Sequence, residues 1–127
     1  MAKAQIKKEH YETFISSGHK KMIADEPPDK GGTDLGLSPL ELLESSLAAC
    51  VAITVRMYAD RKQWSLHEIN VEVNYQEDQS FEKSVEFIGD LNQDQIERLR
   101  EIVDKCPVNK ILSKANTINT SITWKKL

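Results

Sequence analysis

The sequence predicts an α+β domain in which antiparallel strands surround one long helix. Residues 39–62 have the composition of a single long helix that is apolar through its middle. Segments before and after it alternate apolar and polar residues, which is typical of strands, and strands in consecutive hairpins pair antiparallel. A chain of 127 residues is one domain by length, so residues 1–127 are treated as a single unit.

Three strands are predicted before the helix, over residues 3–9, 11–16 and 19–25, with a Ser17-Gly18 turn between the last two. The densest Pro/Gly segment of the chain follows at residues 27–36. Its length is that of an ordered loop and not of a linker, so we place no domain boundary in it.

The long helix has a clear starting signal. Ser38, Pro39 and Glu41 fit the N-cap, first and third helical positions of a capping box. From Ser45 to Val55 the helix carries no charge and is almost entirely apolar. Such a segment is buried on more than one face, which one small sheet cannot provide. A dimer that covers residues 45–55 between two sheets would provide it.

The region after the helix begins with the clearest strand, residues 66–75, whose apolar face is formed by Ile69, Val71, Val73 and Tyr75. Residues 81–89 return with Phe81, Val85 and Phe87 on one face, which predicts a hairpin. One face of this hairpin is therefore expected to contact the core and the other to contact solvent.

Two helices and a last strand complete the prediction. Apolar spacing indicates a helix over residues 93–105, which ends at Cys106 because the residue before Pro107 is disfavoured in the α region. A short helix follows from Pro107 to about Lys114, and the alternation over residues 117–124 predicts a final strand.

Composition excludes several functional classes. A net charge of −3 and a pI of about 5.6 give no basic surface for nucleic acid. The longest uncharged run has 11 residues, fewer than the roughly 17 of a membrane span, and the start lacks the apolar core of a signal peptide. Two Cys and three scattered His have no zinc spacing. We therefore expect a soluble cytoplasmic protein with no metal, no cofactor, no nucleic-acid partner and no membrane partner.

The two cysteines are the candidate chemical groups. Cys106 is placed at the N-cap of the short helix, where backbone N–H groups and the helix dipole favour a thiolate. Cys50 lies in mid-helix among apolar residues, surroundings that on their own raise a thiol pKa. Both could be small buried hydrophobic residues, or they could form a peroxidatic and resolving pair.

Two motifs in the chain resemble the signature of the OsmC/organic hydroperoxide resistance (OsmC/Ohr) family. The first half is Gly36-Leu37-Ser38-Pro39-Leu40-Glu41-Leu42-Leu43 with Ala48-Ala49-Cys50, and the second is Cys106-Pro107-Val108-Asn109-Lys110. The resemblance implies an intertwined homodimer with long central helices sheltered between sheets. It also implies thiol-dependent reduction of organic hydroperoxides, with Cys50 as the peroxidatic thiolate, Cys106 as the resolving thiol and an external dithiol as reductant.

The resemblance further implies a catalytic Glu ten residues before the first Cys and an Arg in the N-terminal segment. The Glu position is occupied here by Leu40, so the adjacent Glu41 is the candidate, with its capping-box role as the alternative. No Arg precedes Arg56, and the candidate cations of the N-terminal segment are His19, Lys20, Lys21 and Lys30. An alternative function is a non-catalytic dimer that binds a small hydrophobic ligand in a cleft around Cys50. A purely structural dimer is the third possibility.

Overall fold

The fold consists of two antiparallel sheets, three α-helices and a short 3₁₀ helix at Pro28–Lys30, and the computed structural model describes residues 1–127. The elements, in chain order, are β1 (Lys3–Ile6), β2 (Thr13–Ser17), β3 (Lys20–Ala24), α1 (Pro39–Lys62), β4 (Ser65–Tyr75), β5 (Phe81–Asp90), α2 (Gln93–Val103) and α3 (Pro107–Leu112). The predicted α+β class and the order of elements as far as α3 are confirmed.

The sheets are separate hairpin assemblies. Strands β1, β2 and β3 pair in that order, and β4 pairs with β5 in a register that sets Tyr75 opposite Phe81. In β4 the predicted alternation is present, because Ile69, Val71 and Val73 are half-buried between exposed polar neighbours. One face of the second sheet therefore packs on the helices and the other contacts solvent.

Helix α1 begins where the capping box predicts. The Ser38 hydroxyl accepts a hydrogen bond from the Glu41 backbone N–H at 3.2 Å, and a Glu41 carboxylate oxygen accepts one from the Ser38 N–H at 3.1 Å. The helix ends at Lys62, followed by Gln63 in the left-handed conformation at the C-cap.

The loop before α1 is held by close backbone packing. A Cβ on Gly36 would lie 2.0 Å from the carbonyl oxygen of Ile23, so only glycine allows this approach to β3. The buried carboxylate of Asp25 accepts hydrogen bonds from the Thr33 hydroxyl and the Leu35 N–H. These contacts fix the start of α1 relative to the first sheet.

Two polar contacts fix α1 on β4. Near its start, the Glu44 carboxylate accepts a hydrogen bond from the Tyr75 N–H at 2.8 Å, at the end of β4. Beyond its middle, the Arg56 guanidinium donates to the Leu66 carbonyl at 2.6 Å, near the start of β4. Cys50 lies between these two positions, so the middle of α1 is held against the sheet.

The core lies between α1, the β4–β5 sheet and α2. Its ten buried members are Leu47, Val51, Val55, Tyr58, Ala59, Leu66, Leu99, Ile102, Val103 and Cys106. An 18-residue window of α1 has a mean hydropathy of 1.4, so by length and composition alone this helix could cross a membrane. Only 22% of that window is buried in the chain, although the core helix of a soluble protein also meets the criterion.

The predicted strand over residues 117–124 is wrong for the single chain. Residues 115–127 form no helix or strand, and the side chains of Ile118, Ile122 and Trp124 are 86%, 88% and 83% exposed. Side-chain alternation indicates which faces a strand would have, but a strand also needs a neighbouring edge that supplies hydrogen bonds. No strand of this chain pairs with the segment.

The remaining differences concern element ends. β1 ends at Ile6 and not at residue 9, because the chain turns through His10, whose φ is 46°. α2 ends at Val103 with Asp104 as its C-cap, two residues before the predicted end, and α3 ends at Leu112.

Candidate functional site

The structure brings the two cysteines together. Cys50 lies midway along α1, and Cys106 is the N-cap residue of α3, which packs against α1. Cys50 packs against the buried cluster that contains Cys106, close enough to influence the Cys106 pKa, and neither cysteine is part of a disulfide. The two thiols, which are 56 positions apart in the sequence, therefore lie in one region of the fold.

The two thiols differ in access to solvent. The Cys106 side chain belongs to the buried core and is 0% exposed, whereas Cys50 is half-buried. A small molecule that approaches from solvent consequently reaches the sulfur of Cys50 first.

The electrostatic environment of Cys106 favours its protonated form. Burial is the largest influence and raises the pKa of the Cys106 thiol, and the hydrogen bond and negative charge of Cys50 raise it further. The Asn109 N–H, which donates to Cys106 Sγ at 3.2 Å, and the positive charge of Lys83 lower it. The net shift of the Cys106 pKa is upward. The sequence correctly predicts the N-cap position, but the thiolate expected there is outweighed by desolvation.

Lys83 is the cation that acts on Cys106, and it is not among the residues predicted from the sequence. It lies on β5 with a side chain that is 14% exposed, and its Nζ is 2.9 Å from Asp104 Oδ1 and 3.0 Å from Asn109 Oδ1. A signal was available, because Lys83 falls on the same face of β5 as Phe81, Val85 and Phe87. A charged residue on the inward face of an amphipathic strand is unusual unless it has a partner.

The cations expected from the N-terminal segment lie elsewhere. His19, Lys20 and Lys21 are exposed at the β2–β3 turn and on β3, and Lys30 is exposed in the loop before α1. None of these four contributes to the electrostatics of Cys106.

Glu41 is not brought to the cysteines in the single chain. It precedes Cys50 by nine positions, which corresponds to about 13 Å along the helix axis and the opposite side of the helix. Its carboxylate caps α1, and hydrogen bonds from Ser38 lower the Glu41 pKa. The chain also contains no group of three or more His, Cys, Asp or Glu side chains that could hold a metal ion.

Comparison with known proteins identifies similar sequences and folds. A family model for OsmC-like proteins matches residues 31–121, whereas no curated protein matches the chain. An osmotic stress induced and detoxification response protein from Psychrobacter arcticus is 20% identical with a TM-score of 0.73, over 87% of this chain and 85% of that chain.

Two further solved structures have the same fold. An OsmC-like protein from Mycoplasma pneumoniae is 21% identical with a TM-score of 0.71, over 89% of this chain and 86% of that one. An organic hydroperoxide resistance protein from Legionella pneumophila is 23% identical with a TM-score of 0.56, over 88% and 87% of the two chains. At these identities the likeness establishes the fold.

Proposed function

The chain belongs to the OsmC family, and from this premise we propose that it is a thiol-dependent peroxidase that reduces organic hydroperoxides through Cys50 and Cys106. The observation that carries the proposal is the packing of half-buried Cys50 against the buried cluster that contains Cys106, which sets the two thiols near each other. Two cysteines that serve only as buried hydrophobic residues do not have to lie near each other. A peroxidatic and a resolving cysteine must, because they form a disulfide.

The proposed reaction has three steps. The Cys50 thiolate attacks the O–O bond of the hydroperoxide, forming a sulfenic acid while the alkoxide leaves and takes up a proton as an alcohol. Cys106 then attacks the Cys50 sulfur, and its proton departs with the hydroxyl group as water. An external dithiol reduces the resulting disulfide and is itself oxidised to a disulfide.

The assignment of the two roles follows from access and protonation. A hydroperoxide in solution reaches Cys50, whereas Cys106 is 0% exposed. The raised pKa of Cys106 keeps it protonated at neutral pH, which suits a thiol that supplies a proton to the water formed in the second step. The apolar residues around Cys50 favour alkyl hydroperoxides over hydrogen peroxide.

We further propose that the protein acts as a homodimer, because α1 presents an uncovered apolar face. We call this face the α1 stripe and define it as Leu43, Ser46, Cys50, Ile53 and Met57, which are spaced three and four positions apart. Ile53 and Met57 are 58% and 66% exposed. A second copy that covers the α1 stripe also closes the surroundings of Cys50, so the partner subunit would form part of the substrate cleft.

Two other apolar surfaces support the same assembly. A cavity of about 1000 Å³ lies against the first sheet, where Phe14, Met22 and Leu35 are exposed. In the C-terminal segment the side chains of Ile118, Ile122 and Trp124 are also exposed. Apolar patches of this kind mark interaction sites, and an intertwined dimer covers each with a surface that the chain itself supplies.

The test of dimerisation is the molecular mass in solution by sedimentation equilibrium. We expect a dimer for the wild type and a shift toward monomer for Ile53→Asp, since this change buries a charge in the proposed interface. Asn74→Asp is the matched control, because it adds the same charge on the exposed face of β4. A monomeric wild type at micromolar concentration would overturn the proposal.

The test of activity is turnover of cumene hydroperoxide with dithiothreitol as reductant. We expect Cys50→Ser to abolish turnover and Cys106→Ser to allow one oxidation without forming the internal disulfide. Equal activity of wild type and Cys50→Ser would refute the proposal. Glu41→Gln retains the capping box, so a loss of turnover in this variant would assign Glu41 a catalytic role reached through the partner subunit.

The alternative function is a non-catalytic dimer that binds a small hydrophobic ligand. A thiol titration distinguishes it from the proposed peroxidase. In the proposed peroxidase Cys50 reacts with an alkylating reagent at neutral pH. A Cys50 that reacts only at alkaline pH favours the ligand-binding dimer instead. We also propose a cytoplasmic location, where reducing thiols regenerate the dithiol form.

A further inference from the structure

The connection between α2 and α3 is held by one lysine from the sheet. Lys83 Nζ has three hydrogen-bond acceptors within reach, namely the Val103 carbonyl at 3.5 Å, Asp104 Oδ1 at 2.9 Å and Asn109 Oδ1 at 3.0 Å. An ammonium group has three donors, so this set uses all of them. The Lys83 side chain is largely buried, whereas that of Asp104 is 71% exposed, so the ion pair itself contributes little. The contact of Lys83 with Asn109 is part-buried.

The contacts of Lys83 reach Cys106 through Asn109, which bonds to both residues. The Lys83 ammonium fixes the Asn109 side chain, and the Asn109 backbone N–H donates to Cys106 Sγ at 3.2 Å. The charged groups that face the Cys106 sulfur are Cys50 from α1 and Lys83 from β5, and the carboxylate of Asp104 is paired with Lys83. The lysine is therefore the one group from the sheet whose charge favours a thiolate at Cys106.

Resting on the proposed function, we propose that Lys83 is a positioning residue that stabilises Cys106 as the leaving thiolate when the Cys50–Cys106 disulfide is reduced. A dithiol from solvent reaches the Cys50 sulfur and not that of Cys106, which is 0% exposed. The reductant sulfur bonds to Cys50, the S–S bond breaks, and its electron pair passes to Cys106. The second thiol of the reductant then releases Cys50, and the two reductant protons end on the two cysteines.

The direction of the effect follows from leaving-group chemistry. A thiol of lower pKa leaves faster from a disulfide, and Lys83 lowers the pKa of Cys106. Loss of a nearby opposite charge changes a pKa by about one unit or more. We expect a neutral residue at position 83 to slow reduction by roughly threefold to tenfold.

The test compares Lys83→Gln with wild type after both are oxidised with diamide, a thiol oxidant that requires no peroxidase activity. Stopped-flow reduction by dithiothreitol gives the rate at which the disulfide opens. Lys83→Arg keeps the charge and should restore most of the rate. Lys110→Gln is the matched control, because it removes an exposed lysine of α3.

A second measurement separates this inference from the peroxidase proposal. In a Cys50→Ser background Cys106 is the one remaining cysteine, so the pH dependence of the ¹³Cβ chemical shift of labelled cysteine reports the titration of Cys106 alone. We expect Lys83→Gln to move this titration upward by about one pH unit. An unchanged titration with an unchanged rate of reduction would overturn the role of Lys83. A shifted titration in a protein that does not turn over hydroperoxides would overturn only the peroxidase function. If Lys83→Gln does not fold, Lys83→Met keeps the buried alkyl chain without the charge. It should show the same slower reduction, and wild-type behaviour there would overturn the inference.

Discussion

Closing the Cys50–Cys106 disulfide should stabilise the protein against unfolding by a measurable amount. The bridge encloses a loop of about 57 residues, counted from position 50 to position 106. Restricting such a loop in the unfolded chain gives about 4 kcal/mol in the chain-entropy relation, and typical disulfides give about 2 to 4 kcal/mol. With the usual entropy of unfolding per residue, this corresponds to an increase of roughly 7 to 15 °C in the melting temperature.

The assay is thermal and urea unfolding of the wild type before and after one equivalent of cumene hydroperoxide. Protein concentration must be equal in both samples, because the stability of a dimer depends on it. Cys106→Ser is the control, since serine is a preferred N-cap residue and can accept the Asn109 N–H in place of the thiol. Its melting temperature should be the same with and without peroxide. If peroxide consumes two thiols per wild-type chain and leaves the unfolding free energy unchanged, the bridge does not join these two residues.

Three further predictions concern the framework around the site. Ser38→Ala removes the capping box of α1 and should lower the free energy of unfolding by about 1 kcal/mol, measured in urea against Ser121→Ala as an exposed control. Leu99→Ala, at a side chain that is 0% exposed, should lower it by about 2 to 5 kcal/mol, and a loss below about 1 kcal/mol would contradict the assigned core. For Asp25, burial raises the pKa but hydrogen bonds from Thr33, Leu35 and Glu26 lower it more, so the folded value lies below the usual one. This carboxylate stabilises the fold above its unfolded pKa of about 4, and the contribution is lost as pH falls through the lower folded value. In Asp25→Asn the free energy of unfolding should therefore fall less steeply as the pH is lowered below about 4. The same pH dependence as in the wild type would contradict this assignment.

Local signals in the sequence predict most of the fold. The Ser38 capping box gives the start of α1 at the observed residue, and Asn92 with Gln95 forms a second capping box at the start of α2. These elements are predictable because a cap and a hydrophobic period act within one or two turns of helix. The strand predicted over residues 117–124 is wrong because its formation is not a local property. A strand needs a neighbouring edge, which can be distant in the sequence or belong to another chain.

The candidate site is predictable only in part for the same reason. The two cysteines could be selected because their positions relative to helix start and helix middle are local properties. The contribution of Lys83 depends on the packing of β5 against the α2–α3 connection, which brings together residues 20 to 26 positions apart. Likewise, the Cys106 pKa is governed by burial, which no N-cap motif reveals.

The α1 stripe affects how the protein reaches its folded state. In the single chain the side chains of Ile53 and Met57 are 58% and 66% exposed to solvent. Folding to the proposed assembly therefore includes a bimolecular step, and its final phase should become faster as protein concentration rises. Until pairing occurs, the same surface is open to non-specific association, which competes with productive pairing. The helix that carries the proposed peroxidatic thiol is thus also the one whose exposed apolar face makes folding depend on protein concentration.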